Sequence, residues 1–206
     1  ALIADPHYYS EKLGNTGKAY ERRAGSDQKM LAQSRGTILA ALELIKNSDA
    51  KFLLIAGDLS NDGERVSHEE MREILNEFEK VMPVYVITAT HDWCCDGNPR
   101  RYEGDKIYHD VETIPPEELA EFYKDFGMSD AISTFYTHQN KVSYVVRPCD
   151  GVSIFCLDDD QNGSGSSGYS EEHFKWITKQ VNEAKNRGDV VFGMQHHHLF
   201  LTEFQR

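Results

Sequence analysis

Short apolar runs alternating with amphipathic stretches constrain this chain more than any other feature. Residues 2–4, 52–56, 84–88, 143–146, 152–157 and 190–193 are brief runs rich in aliphatic and aromatic side chains. They read as buried strands. Between them, apolar residues recur at helical spacing: Leu31, Ile38, Leu42 and Ile45; Met71, Ile74, Leu75 and Phe78; Leu119, Phe122, Tyr123 and Phe126; Phe174, Ile177, Val181 and Ala184. Each set predicts a helix with one face in the core. Ser26-Asp27, Ser67 and Ser170 are placed to cap helices, Pro115-Pro116 to start one and Gly188 to end one. The consecutive strands on either side of Asp150-Gly151 predict a hairpin, so the expectation is an α/β domain with a mixed sheet.

The 206 residues suffice for one full core, and neither an internal repeat nor a linker interrupts them, so residues 1–206 read as a single domain. The chain opens on Ala1 without a Met and stops abruptly at Arg206. Both ends read as cut, an export signal removed earlier stays open, and the compartment is not fixed. No apolar run approaches the roughly 18 residues of a membrane helix. Lys and Arg total 22 against 34 Asp and Glu, a net charge of −12. That surface repels nucleic-acid backbones and favours small phosphate-bearing partners, provided that bound cations supply local positive charge. Cys94, Cys95, Cys149 and Cys156 show no C-x-x-C pairing and read as free thiols.

Chemistry collects at one end of the strands. The first run leads into Asp5-Pro6-His7, the second into Gly57-Asp58 with Asn61-Asp62, the third into His91-Asp92, and the last into His196-His197-His198. Ligands of open α/β sheets bind outside the carboxyl ends of strands, so four distant segments would converge there. Carboxylate oxygen and imidazole nitrogen suit hard or borderline divalent ions. Without cations a cluster of Asp5, Asp58, Asp62 and Asp92 would repel itself.

This ordered set, Asp-x-His, Gly-Asp-x-x-Asn, x-x-His-Asp and a late His-His, resembles the calcineurin-like metallophosphoesterase superfamily over essentially the whole chain. The segment at 57–68 (GDLSNDGERVSH) is similar to bacterial members of unassigned substrate. The resemblance implies a four-layer α/β/β/α sandwich of two mixed sheets flanked by helices. It implies hydrolysis of phosphate monoesters or diesters at a dinuclear centre of divalent or trivalent Mn, Fe or Zn, with a metal-bound hydroxide as nucleophile. Asp5 and His7 would hold the first ion, Asp58 would bridge both, and His196 would hold the second, with His197 as its rival. Asn61 or Asp62 would lie just behind the ligands. His91 would protonate the leaving oxygen, oriented by Asp92.

Two departures stand out. Where the family reads Gly-Asn-His, this chain has Ala89-Thr90-His91, so Thr90 takes the place of an Asn ligand of the second ion. A hydroxyl is a shorter and poorer ligand, and Ala89 replaces a residue able to adopt unusual backbone angles. The family's Gly-His-x-His motif is also missing before Arg206. These departures motivate an alternative, a binding or scaffold module that keeps the fold without the chemistry. Among the remaining histidines, His68, His109, His138 and His173 read as solvent-facing and His198 as a rim residue. Tyr8 and Tyr9 read as packing, and residues 158–168 (DDDQNGSGSSG) as a flexible loop at the rim.

Overall fold

The computed structural model describes residues 1–26, 28–160 and 167–198. In chain order, the first half contains β1 (Leu2–Ile3), α1 (Lys18–Ser26), α2 (Ser34–Lys46), β2 (Leu53–Ala56), α3 (Arg65–Glu79) and β3 (Val84–Ile87). A small hairpin follows, β4 (Arg101–Glu103) with β5 (Lys106–Tyr108), then α4 (Pro116–Phe122). The second half contains β6 (Ser133–Tyr136), β7 (Val142–Cys149), β8 (Val152–Cys156), α5 (Glu171–Asn186) and β9 (Val190–Met194).

Alternation along the strands sets the layers, because successive side chains point to opposite faces. β1, β2 and β3 form a parallel sheet. On one face, Leu53, Ile55, Val84 and Val86 pack with Ile38 and Leu42 of α2 and Met71, Leu75 and Phe78 of α3. On the other, Ala56, Tyr85 and Ile87 meet Tyr144, Val146, Ile154, Cys156 and Met194 of the second sheet. That sheet runs β6-β7-β8-β9, antiparallel except for β8 with β9, and is the mixed one. Its far face places Val145 and Phe155 against Ile177, Val181 and Ala184 of α5. The result is the expected α/β/β/α sandwich. Emptying one of its fully buried positions, as in Ile55→Ala, is worth about 2–5 kcal/mol.

The predicted hairpin forms, and Gly151 at its turn adopts φ 83°, where a side chain would be strained. Ser170 caps α5 by accepting from His173 N at 3.1 Å. Other expectations need correction. Ser26 ends α1 rather than opening a helix, and Asp27 lies outside the described residues. Ser67 sits inside α3, whose N-cap is Glu64. The buried stripe of α5 runs through His173, Gln180 and Ala184, while Phe174 is 62% exposed. Thus His173 is not a solvent residue; it is buried and stacks on Phe135. Asp158, Asp159 and Asp160 are buried as well, so the start of the expected rim loop is interior; residues 161–166 lie outside the described residues. All four cysteines are free. Among the described residues no helix is long and apolar enough to cross a membrane.

Candidate metal centre

The site begins where β1 and β2 stop being regular. Beyond its last strand residue the first chain keeps running beside the second: Asp5 N donates to Gly57 O, His7 N to Asp58 O and Tyr8 N to Leu59 O. These bonds carry Asp5 and His7 alongside Asp58. All three adopt positive φ, 53°, 41° and 52° respectively. Non-glycine residues rarely do so, and each instance costs on the order of 1–3 kcal/mol that the surroundings must offset. Gly57 is required for a different reason. At φ 84°, an added Cβ would lie 2.6 Å from Ala89 Cβ and 3.0 Å from His196 Nδ1.

The side chains then converge. His196 Nε2 lies 3.3 Å and His7 Nε2 3.7 Å from Asp58 Oδ2, and His7 Nε2 is 3.8 Å from Asp5 Oδ1. His196 Nδ1 donates to Ala56 O at 2.8 Å, which fixes the ring and turns Nε2 toward the carboxylates. Two triads result, His7–Asp58–His91 and Asp5–Asp58–His196, and within each the potential ligand atoms lie within 4.8 Å of one another. Asp58 belongs to both. His7 Nε2 faces the carboxylates, while its Nδ1 is buried without a hydrogen-bond partner. Donor chemistry and convergence together fit divalent cations.

Electrostatics point the same way. Burial pushes the Asp58 carboxyl up, but the hydrogen bond and charge of His196 outweigh it and bring it down to about 2. Burial likewise disfavours a charged His196, yet the bond to Asp58 raises that imidazole to about 9. A proton thus stands in for a cation. His7 is held down to about 4 by burial and by the Lys29 ammonium, so its ring is neutral and able to act as a ligand.

His91 closes the site from β3. Its backbone N donates to Asp58 Oδ1 at 3.0 Å, and its ring packs edge-on to His7. Asp92 was expected to orient this ring and does not touch it. Instead the buried Asp92 carboxylate accepts from Ser60 N and Ala89 N, both at 2.9 Å, and ties the β3 turn to the β2 turn. Asp62 holds the imidazole, with Oδ1 3.1 Å from His91 Nδ1. Burial opposes a protonated His91, but this bond raises its pKa overall. Three cations surround Asp62: Lys29 at 3.5 Å, Arg100 at 3.6 Å and Arg23 at 3.9 Å. Lys29 Nζ also lies 2.9 Å from His91 Nδ1.

The remaining expectations divide. Asn61 is buried behind the site, donating to Asp62 and to the wholly buried Glu64. His197, the expected rival to His196, turns toward Asp159: its backbone N and Nδ1 face that carboxylate at 2.7 and 3.2 Å. Thr90 lines a cleft with His91, Cys95 and Asp96. Ala89 needs no unusual angle, since it is absent from the positive-φ residues. His68 is the clearest miss. It is fully buried, with Nε2 2.7 Å from Asp92 O and Nδ1 2.7 Å from Tyr123 Oη. A carbonyl only accepts, so Nε2 carries the hydrogen and Nδ1 accepts from the tyrosine. The signal was available, because His68, Met71 and Leu75 fall on one helical face.

The profile of the calcineurin-like phosphoesterase family matches residues 1–205. The chain belongs to that family. This calcineurin-like phosphoesterase is also similar to a dimetal phosphatase from Danio rerio known from its crystal structure, with TM-score 0.59 and 12% identity. The match covers 95% of this chain and 68% of the other, and at that identity the likeness is one of fold. None of the curated proteins compared matches the chain.

Proposed function

We propose that this calcineurin-like phosphoesterase hydrolyses small phosphoesters at a centre that takes two cations, of which Mn, Fe and Zn suit the donors. The observation carrying this reading is Asp58: His196 and His7 face its carboxylate at 3.3 and 3.7 Å, Asp5 adjoins His7 at 3.8 Å, and Asp5, His7 and Asp58 all sit in strained backbone conformations. Strain of this kind persists where geometry is needed for function. The Danio rerio protein, described as a dimetal phosphatase, agrees with it.

In this reading Asp5 and His7 serve one ion, Asp58 both, and His196 the other, with Thr90 or water completing the second. When bound, such ions polarise a phosphoryl oxygen and make water acidic enough to attack. The protein's own residues do the rest. Asp62 fixes the His91 ring and favours its protonated form, so that His91 can pass a proton to the departing oxygen. Lys29 and Arg23 supply positive charge beside the centre, where the acidic surface would otherwise repel an anion. To hold an ion, His196 would give up its proton.

The test is turnover of 4-nitrophenyl phosphate and bis(4-nitrophenyl) phosphate with added Mn²⁺, comparing the protein with its Asp58→Asn variant. Loss of about three orders of magnitude in the variant is expected. Equal rates would overturn the proposal. Ion binding without turnover of either ester would favour the module that keeps the fold alone.

A further inference from the structure

An open cleft of about 810 Å³ runs away from the centre, and Asp5 and His7 form part of its wall. The volume falls within the range of small-molecule sites. Its two ends differ. The near end holds Asp5, His7, Arg23 and Lys29. The other end, with Ile3, Met30, which is 64% exposed, and one stripe of α2 (Ser34, Thr37, Ile38 and Ala41), carries no charged group, and the polar Ser26 and Gln28 line the cleft as well. That stripe follows the i, i+3, i+4, i+7 spacing of a single helical face; Ser34 and Ile38 are buried in it, and Thr37 and Ala41 present its accessible surface to the cleft.

We propose that this cleft receives the organic part of the substrate, and that the preferred substrates are phosphoesters of apolar alcohols rather than of sugars or short polar alcohols. The inference rests on the phosphoesterase reading and deepens it. Charge complementarity fixes the orientation. An anionic phosphate is drawn to the cationic end beside Asp5 and His7, which leaves its ester group only the apolar end to occupy. The cleft is continuous with the centre, so one molecule spans both.

The experiment separates this inference from the activity itself. Binding of n-hexylphosphonate and ethylphosphonate, which cannot be hydrolysed, is measured by calorimetry on the Mn²⁺-loaded protein, and turnover of n-hexyl and ethyl phosphate is measured beside it. The leaving alcohols are nearly equal in acidity, so the pairs differ in apolar length alone. Hexylphosphonate should bind at least about tenfold more tightly, since even partial burial of its extra methylenes gives that factor. Any advantage in turnover should appear in KM and not in kcat. Thr37→Trp, at an exposed helix position, fills the cleft and should erase the preference by weakening hexylphosphonate more than ethylphosphonate; Ala41→Phe checks the same wall independently. Equal affinity of the two phosphonates, or a preference that survives both substitutions, overturns the inference and leaves the phosphoesterase reading standing. Failure of both phosphonates to bind, with no turnover of either ester, removes both.

Discussion

Two acidic clusters stand at the carboxyl ends of strands in this molecule, and they are built for opposite purposes. After β8, Asp158, Asp159 and Asp160 are buried beside Lys141, itself 1% exposed. The Lys141 ammonium pairs with Asp160 and lies 3.7 Å from Asp158 Oδ1, Thr137 donates to Asp158, and Asp159 takes His197. The protein supplies its own cation there. After β1 and β2, Asp5 and Asp58 have imidazoles at 3.3–3.8 Å and backbone strain, and no Lys or Arg is paired with either carboxylate among the described residues. Acidity alone therefore does not mark a cation site. What distinguishes the two is the counter-charge: a permanent buried ammonium in the β8 cluster, and at Asp58 an imidazolium whose proton an outside ion can replace, on residues held in costly positions.

The largest expected consequence lies in ion binding. His196→Ala should weaken binding of one Mn²⁺ by about a thousandfold or more in calorimetry, because in the proposed assignment a direct ligand would be lost. Asp160→Asn should leave both ions in place. Loss of an ion in the Asp160 variant would dissolve the contrast between the clusters.

The reverse contrast concerns stability. Lys141→Met leaves carboxylates buried without their cation, and removing one partner of a buried pair typically costs about 3–5 kcal/mol. The expected readout is a lower urea midpoint with unchanged Mn²⁺ stoichiometry. An unchanged midpoint would mean that the β8 cluster is not internally balanced.

The clusters also differed in how far the sequence betrayed them. Asp5, His7, Asp58, His91 and His196 were legible because each follows an apolar run, and a strand end is a local signal. The set around Asp62 was not legible. Lys29, Arg23 and Arg100 reach it from separate segments, and the helix that carries Arg23, KAYERRAGS, buries only Ala19 and Tyr20 and so lacks an apolar stripe to announce it. The Lys141 pairs come from β7's approach and the end of β8, a partnership that only tertiary packing creates. Asp92 was misassigned because adjacency to His91 suggested contact, whereas the turn after β3 sends the carboxylate back to Ser60 and Ala89. His68 and His173 were lost to the assumption that helix histidines face water, although both fall on buried stripes.

His68 gives the next prediction, and its sign follows from linkage. Burial lowers its pKa from 6.5 in the unfolded chain to about 4 in the folded one. Between those values the unfolded state binds the extra proton, so stability is complete above pH 6.5 and falls as pH drops toward 4. The slope from this one residue is at most about 1.4 kcal/mol per pH unit. His68→Leu should lower stability near neutral pH by about 1–3 kcal/mol, because Asp92 O and Tyr123 Oη lose their partner. It should also flatten the acid limb of urea stability against pH. A limb as steep as before would show that His68 is not the residue that titrates.

The smallest effect makes the sharpest comparison, since it concerns one residue type at successive positions. Beyond β9 the chain bends at His196 and His197, and their side chains diverge. His196 turns to the Ala56 carbonyl and Asp58, while His197 turns to Asp159. The two rings are only 5.0 Å apart, centroid to centroid, yet each belongs to a different cluster. His197→Ala removes a partly exposed partner of Asp159 and should cost no more than about 1 kcal/mol. Mn²⁺ stoichiometry and the Asp58-dependent rate should stay unchanged, because no ligand to the centre is touched. Should this variant lose an ion, the ring at 197 would have to reach the Asp58 side when cations are bound, and the division between a self-balanced cluster and a cation-demanding one would fail at the single position where they meet.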